Sequence, residues 1–239
     1  MRLTKSSKIF LLIINFIIYL LPAFAQDIEA GLSKLTQEQE KSYREIWEKP
    51  VDPNLLNTSK IQLYKQKQVA ATMLGMTQST EENLKEWSKL DIAGKWSLRE
   101  FYSAAGRFED AVAVGNEVIN SEKFPPFSAR MKSYVATDYL YANKLDKAEE
   151  YFLAAEKTIR NEFGTVRPSV RNSYWIARAE TDYLVQRSIY LMRLGKWGEA
   201  LAMGKQAVEK SKVMMKYIDN LEGEPTYKYS AKQSATFAL

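Results

Sequence analysis

Three six-residue stretches share one chemical pattern: Gly106-Arg107-Phe108-Glu109-Asp110-Ala111, Asn143-Lys144-Leu145-Asp146-Lys147-Ala148 and Gly195-Lys196-Trp197-Gly198-Glu199-Ala200. Each reads Gly or Asn, a basic residue, a large apolar residue, two mostly charged residues and alanine. Gly and Asn tolerate the left-handed backbone that closes a helix C-terminus. The large residue can pack between two helices, and alanine lets them approach closely. Apolar residues on both sides recur at helical spacing. They predict helices over residues 93–105 and 108–120, 127–142 and 145–163, and 170–194 and 197–220. Pro125-Pro126 separates the first pair from the second, and Gly164 with Pro168 separates the second from the third.

The turn resembles the one between the two helices of a tetratricopeptide repeat, and self-similarity of this kind marks a repeat array rather than a bundle with coincidental turns. Other positions of that family's pattern carry over one by one. In the middle unit Ala136 takes the small position of the first helix and Tyr139 the aromatic one, while Ala148, Phe152 and Ala155 match the second helix. In the unit before it Leu98, Tyr102 and Ala111 fit, but Arg99 and Gly115 depart. In the unit after it Leu191, Ala200 and Ala207 fit, Ser188 is tolerated, and Arg187 stands where an apolar residue is expected. Asn143 lies 37 residues after Gly106 and Gly195 lies 52 after Asn143, against a family period of about 34. The stretch Ile159-Arg160-Asn161-Glu162-Phe163-Gly164 with Pro168 beyond it is similar to the longer-period repeats of kinesin light chains and related bacterial proteins. The resemblance spans residues 92–220 and implies an all-α fold, an α–α superhelix in the form of a right-handed solenoid of antiparallel helix pairs.

Upstream, residues 32–47 carry helical periodicity that Lys49-Pro50-Val51-Asp52-Pro53-Asn54 stops. Asn57 or Thr58 is the expected cap of a helix running to Leu74-Gly75. Ser79-Thr80-Glu81-Glu82 reads as the capped start of a helix through Leu84, Trp87 and Leu90. These features divide the chain into a leader (1–25), an N-terminal helical region of worn repeats or a cap (26–90), the repeats (91–220), and a tail or the start of a further helix (221–239).

The leader decides the expected location. Arg2, Lys5 and Lys8 precede an apolar run over residues 9–21, followed by Pro22 and the small-x-small triplet Ala23-Phe24-Ala25. This is the layout of a secretory signal peptide cleaved after Ala25. The run is short of the about 20 residues a membrane span needs. The expectation is a periplasmic or secreted protein with no stable span after cleavage. The chain has no cysteine, so it carries neither disulfides nor a lipid-modified cysteine. Loss of Arg2, Lys5 and Lys8 lowers the formal charge from +5 to +2. That small excess, together with export, argues against a nucleic-acid partner.

Histidine is absent too. Ser-His-Asp and Cys-His nucleophilic systems, the usual zinc ligand sets and the commonest general base are thereby excluded. No glycine-rich phosphate loop occurs. Glu109-Asp110, Glu149-Glu150 and Asp219 with Glu222 and Glu224 are the remaining carboxylate pairs, and acidic residues at such positions are ordinarily solvated. The reading is a non-enzyme without cofactor or metal.

What remains is binding of a protein or peptide. Solenoids use extended concave surfaces, and the resemblance places the first helix of each pair on that wall. It implies Trp96, Glu100 and Ser103 in the first unit. In the second it implies Arg130, Ser133, Thr137 and Tyr141, and in the third Asp182, Val185, Ile189 and Arg193. Arg171, Trp175, Arg178 and Asp182 also share one helical face, either as an anion- or peptide-binding stripe or as a packed tryptophan between surface ion pairs. The expected function is an exported interaction module or scaffold of the cell envelope. The alternatives are an accessory subunit or arm of a larger envelope complex or polypeptide, and a solenoid that binds a glycan or small ligand.

Overall fold

A computed structural model describes residues 36–218; the expected leader and cleavage site and the segment from residue 219 onward lie outside the described residues. Nine α-helices and no strand occur among the described residues. They are α1 (Gln37–Glu48), α2 (Asn57–Met73), α3 (Thr77–Ser88), α4 (Ile92–Ala104), α5 (Phe108–Ser121), α6 (Pro125–Tyr141), α7 (Leu145–Glu162), α8 (Val170–Arg193) and α9 (Trp197–Ile218). A 3-10 turn, Phe163–Thr165, follows α7.

The left-handed turns set the pairing. Gly106 and Gly195 have φ of +73° and +74°, and Asn143 has +59°. At each, the next amide donates back across the turn: Arg107 N to Tyr102 O (2.8 Å), Lys144 N to Tyr139 O (2.8 Å) and Lys196 N to Leu191 O (2.9 Å). This bonding satisfies carbonyls that a helix end leaves orphaned. A fourth turn of the same form stands at Gly75, with φ +69° and Met76 N donating to Ala71 O at 2.9 Å. The region read as worn repeats or a cap thus contains a true helix pair, α2–α3, ahead of α4–α5, α6–α7 and α8–α9.

Two expected caps are corrected. Helix α2 starts at Asn57, with Leu56 as its N-cap and no side-chain bond, so neither Asn57 nor Thr58 caps it. Helix α3 starts at Thr77 directly after the Gly75 turn, which places Ser79–Glu82 inside the helix. Thr80 Oγ1 there donates back to Met76 O at 2.6 Å. Real side-chain caps are Thr36, which forms a capping box with Gln39, Asp91 and Ser169.

Packing is largely sequential, helix against following helix, and this order is that of an all-α solenoid. In addition α6 packs directly on α8, whereas the second helices α7 and α9 scarcely touch. Three departures from the repeat pattern now have causes. A Cβ on Gly115 would stand 2.4 Å from Val135 Cγ2, so α5 and α6 meet at a distance only glycine permits. Arg99 and Arg187 are each ion-paired to a neighbouring helix, Arg99 to Asp138 and Arg187 to Glu149.

Candidate binding surface

The first helices α4, α6 and α8 carry one continuous stack of rings and guanidinium groups. Arg130 on α6 lies between Trp96 on α4, 4.8 Å from that ring centre, and Trp175 on α8, 5.6 Å from its ring. Its Nε donates to Asp182 Oδ2 at 2.6 Å. Arg178, one turn before Asp182 on α8, reaches the same oxygen at 3.9 Å and donates to Tyr174 Oη at 2.8 Å. Trp96 meets Tyr134 edge-on at 5.7 Å, and Phe127 meets Trp175 edge-on at 4.6 Å. Cation–π contacts of this kind each contribute about 0.5–2 kcal/mol, more where water is excluded.

The electrostatics fix these charges. Burial works against the Arg130 cation, but Asp182 and Tyr134 together outweigh it, and its pKa stands above the usual arginine value. The Tyr134 phenol is pushed up to about 12 by burial and by the nearby Asp182. Arg130 is therefore a permanent charge held between two indoles, with its carboxylate partner on the next repeat. In front of it Ile92, Ala93, Trp96, Ser97, Phe127, Arg130 and Trp175 surround a mostly apolar hollow of about 270 Å³.

Below this stack the same wall is closed by polar groups. Arg99 Nε and Nη2 donate to Asp138 Oδ2 at 2.9 and 2.6 Å, and Nη2 also donates to Tyr134 O at 2.9 Å. Ser103 Oγ donates to the other Asp138 oxygen at 2.7 Å. Asp138 is fully buried, and that burial pushes its carboxyl pKa up against the opposing pull of Arg99 and Ser103. Thr137 Oγ1 donates to Gln186 Oε1 at 2.8 Å, tying α6 to α8. At the other end of the helices, Leu140, Tyr141, Ile189, Met192 and Arg193 line a second hollow of about 320 Å³. Tyr141 is 55% exposed there, and its ring lies 5.6 Å from Phe108.

The residues expected from the sequence thus fall into three groups. Trp96, Arg130 and Trp175 come together at one hollow, with Arg178 and Asp182 joined to them through Arg130 and Trp175, and Tyr141, Ile189 and Arg193 line the other. Ser103, Ser133 and Thr137 turn into the seams between or along the helices; Ser133 is fully buried, its hydroxyl donating to Ala129 O. Glu100 and Arg171 are exposed outside both hollows. Arg171 is exposed and stands apart from the interlocked stack, whereas Trp175, Arg178 and Asp182 of the same helical face are packed into it. Sequence reasoning missed Phe127 and Tyr134. Tyr134 stands one helical turn after Arg130, and that spacing is the signal that could have found it.

No protein-family profile matches the chain, and no curated protein matches it significantly. Among the described residues no group of three or more His, Cys, Asp or Glu is placed to hold a metal ion, and no helix is long and apolar enough to cross a membrane.

Proposed function

We propose that this protein is an exported, tetratricopeptide-like interaction module of the cell envelope, which holds a partner protein on the wall formed by α4, α6 and α8. The observation that carries the reading is the Trp96–Arg130–Trp175 stack. It joins three successive first helices and presents aromatic surface already locked in place. Tryptophan, tyrosine and arginine dominate the energetics of protein interfaces, and preformed rings lose little freedom on binding. The two hollows at opposite ends of this wall suit an extended or helical segment anchored at both ends by apolar side chains, with Arg193 supplying a charge contact at one of them.

Affinity capture from envelope extracts followed by mass spectrometry tests the proposal. A reproducible protein partner should be recovered. Trp96→Ala combined with Arg193→Glu should reduce recovery at least roughly tenfold, the size expected for loss of an interface anchor. Leu153→Ser, on the exposed face of second helix α7, should leave recovery unchanged. Recovery of cell-wall fragments alone would favour a glycan-binding solenoid instead.

A further inference from the structure

The two hollows of the wall stand a fixed distance apart. Helices α6 and α8 run side by side in the same direction: Phe127 meets Trp175, Arg130 bonds Asp182 and Thr137 bonds Gln186. Phe127 and Tyr141 on α6 mark the two hollows, and so do Trp175 and Ile189 on α8. Both spacings are fourteen residues, close to four helical turns and about 21 Å along each axis. One turn outside each anchor of α8 stands an exposed arginine: Arg171 four residues before Trp175, and Arg193 four residues after Ile189. Among the described residues neither has a carboxylate partner, whereas Arg130, Arg178 and Arg187 on the same two helices are paired with Asp182 or Glu149. Between the hollows the polar groups of the wall are already bound to one another. Ser103 donates to Asp138, Thr137 to Gln186 and Ser133 to Ala129 O, and Asp138 also takes Arg99. An extended segment laid there would leave its own N–H and C=O groups without partners, which burial penalises; a helix satisfies them internally. Glu100, exposed on α4 and close enough to Tyr134 to help raise its phenol pKa, places the opposite sign of charge midway between the two arginines.

We infer that the partner held on this wall is an amphipathic helix with two large apolar residues fourteen positions apart and an acidic residue one turn outside each. The inference rests on the wall being the binding surface, and adds the secondary structure, spacing and charge of what it binds. The apolar side chains fill the hollows of about 270 and 320 Å³. The carboxylates meet Arg171 and Arg193, and the middle of the helix, facing Glu100, is neutral or basic. Charge complementarity at the rim of an interface acts chiefly on partner choice and register. The pattern reads the same in both directions, so a helix of either polarity fits.

Fluorescence anisotropy of labelled helical peptides titrated with the protein tests this. One peptide carries leucines fourteen residues apart with glutamates four residues outside them; a second, of the same length and composition, has its leucines eleven residues apart. The first should bind at least roughly tenfold more tightly, the size expected when one of two anchors is lost. Arg171→Glu combined with Arg193→Glu should weaken its binding at least roughly fivefold, and lysines in place of the peptide's glutamates should restore it. That rescue separates a charge contact from a damaged fold. Equal affinity for the two spacings, no binding of either peptide, or a charge reversal without effect would overturn the inference. The wall itself is judged separately, by capture of the envelope partner and its dependence on Trp96: a partner held there alongside peptides that show no spacing preference would remove the helix and leave the wall.

Discussion

Arg99 and Asp138 show how a single pair governs one joint of the array. Both are buried, at 5% and 0% side-chain exposure, and they belong to successive first helices. Removing one member of such a pair leaves an uncompensated buried charge, whereas replacing both with apolar residues of similar size is often neutral or stabilising. Asp138→Ala should therefore lower the unfolding free energy by about 3–5 kcal/mol, and Arg99→Met with Asp138→Leu should recover most of it; denaturant melts of the three proteins measure this. The same pair marks a limit of sequence reading. Arg99 looks like a flaw in the repeat because its partner lies 39 residues away, and no local periodicity points there. Trp96, Arg130 and Asp182 were legible because each occupies a wall position that the repeat implies, and Trp175 because it shares a helical face with Arg171, Arg178 and Asp182. Ser103, Ser133 and Thr137 occupy such positions too, but their short side chains reach only as far as the seam.

Turns and helix contacts carry the next level. Asn143 holds a left-handed backbone that costs a residue with a Cβ about 1–2 kcal/mol, a cost that asparagine partly avoids and glycine escapes. Asn143→Gly should be neutral or slightly stabilising and Asn143→Ala destabilising by about 1 kcal/mol, as read from thermal unfolding. The Gly75 turn makes the same hydrogen bonds, yet its sequence, Gly75-Met76-Thr77-Gln78-Ser79-Thr80, lacks the basic residue and the alanine of the other three. Backbone geometry is shared by all four turns, but the side-chain pattern by only three, so α2 and α3 were legible as helices while the turn that pairs them stayed hidden. That pair is joined to the next through Glu81. Hydrogen bonds from Lys85 and then Arg107 hold the Glu81 carboxyl down at about 2. A depressed carboxyl pKa contributes stability that is complete above the unfolded value of about 4.3 and is lost as the pH falls toward the folded value. Stability should fall between about pH 4.5 and 2, and Glu81→Gln should flatten that part of the profile in acid titrations of the unfolding midpoint.

Across the whole molecule, local units that touch mainly their neighbours make a wall whose properties belong to no single repeat. The aromatic stack needs α4, α6 and α8 in register, and that register depends on Gly115, on the Arg99–Asp138 pair and on the Arg187–Glu149 pair. A change at Gly115 should therefore be felt at the hollow formed by Trp96 and Trp175. Gly115→Ala forces α5 away from Val135 and should cost about 1–3 kcal/mol, with a shift in tryptophan fluorescence that reports the loosened stack. The fold class was legible in the sequence from three turns. The shape of the wall was not, because it follows from contacts between residues some 35–52 positions apart. The proposed binding wall is where a partner should touch the protein in its own compartment. A photo-crosslinking residue placed at Ser97, beside the aromatic hollow, and in a separate variant at Leu153, on the opposite helix layer, measures that contact in intact cells. Crosslinks to a discrete protein from Ser97 and none from Leu153 are the predicted result. Crosslinks from Leu153 alone would contradict it.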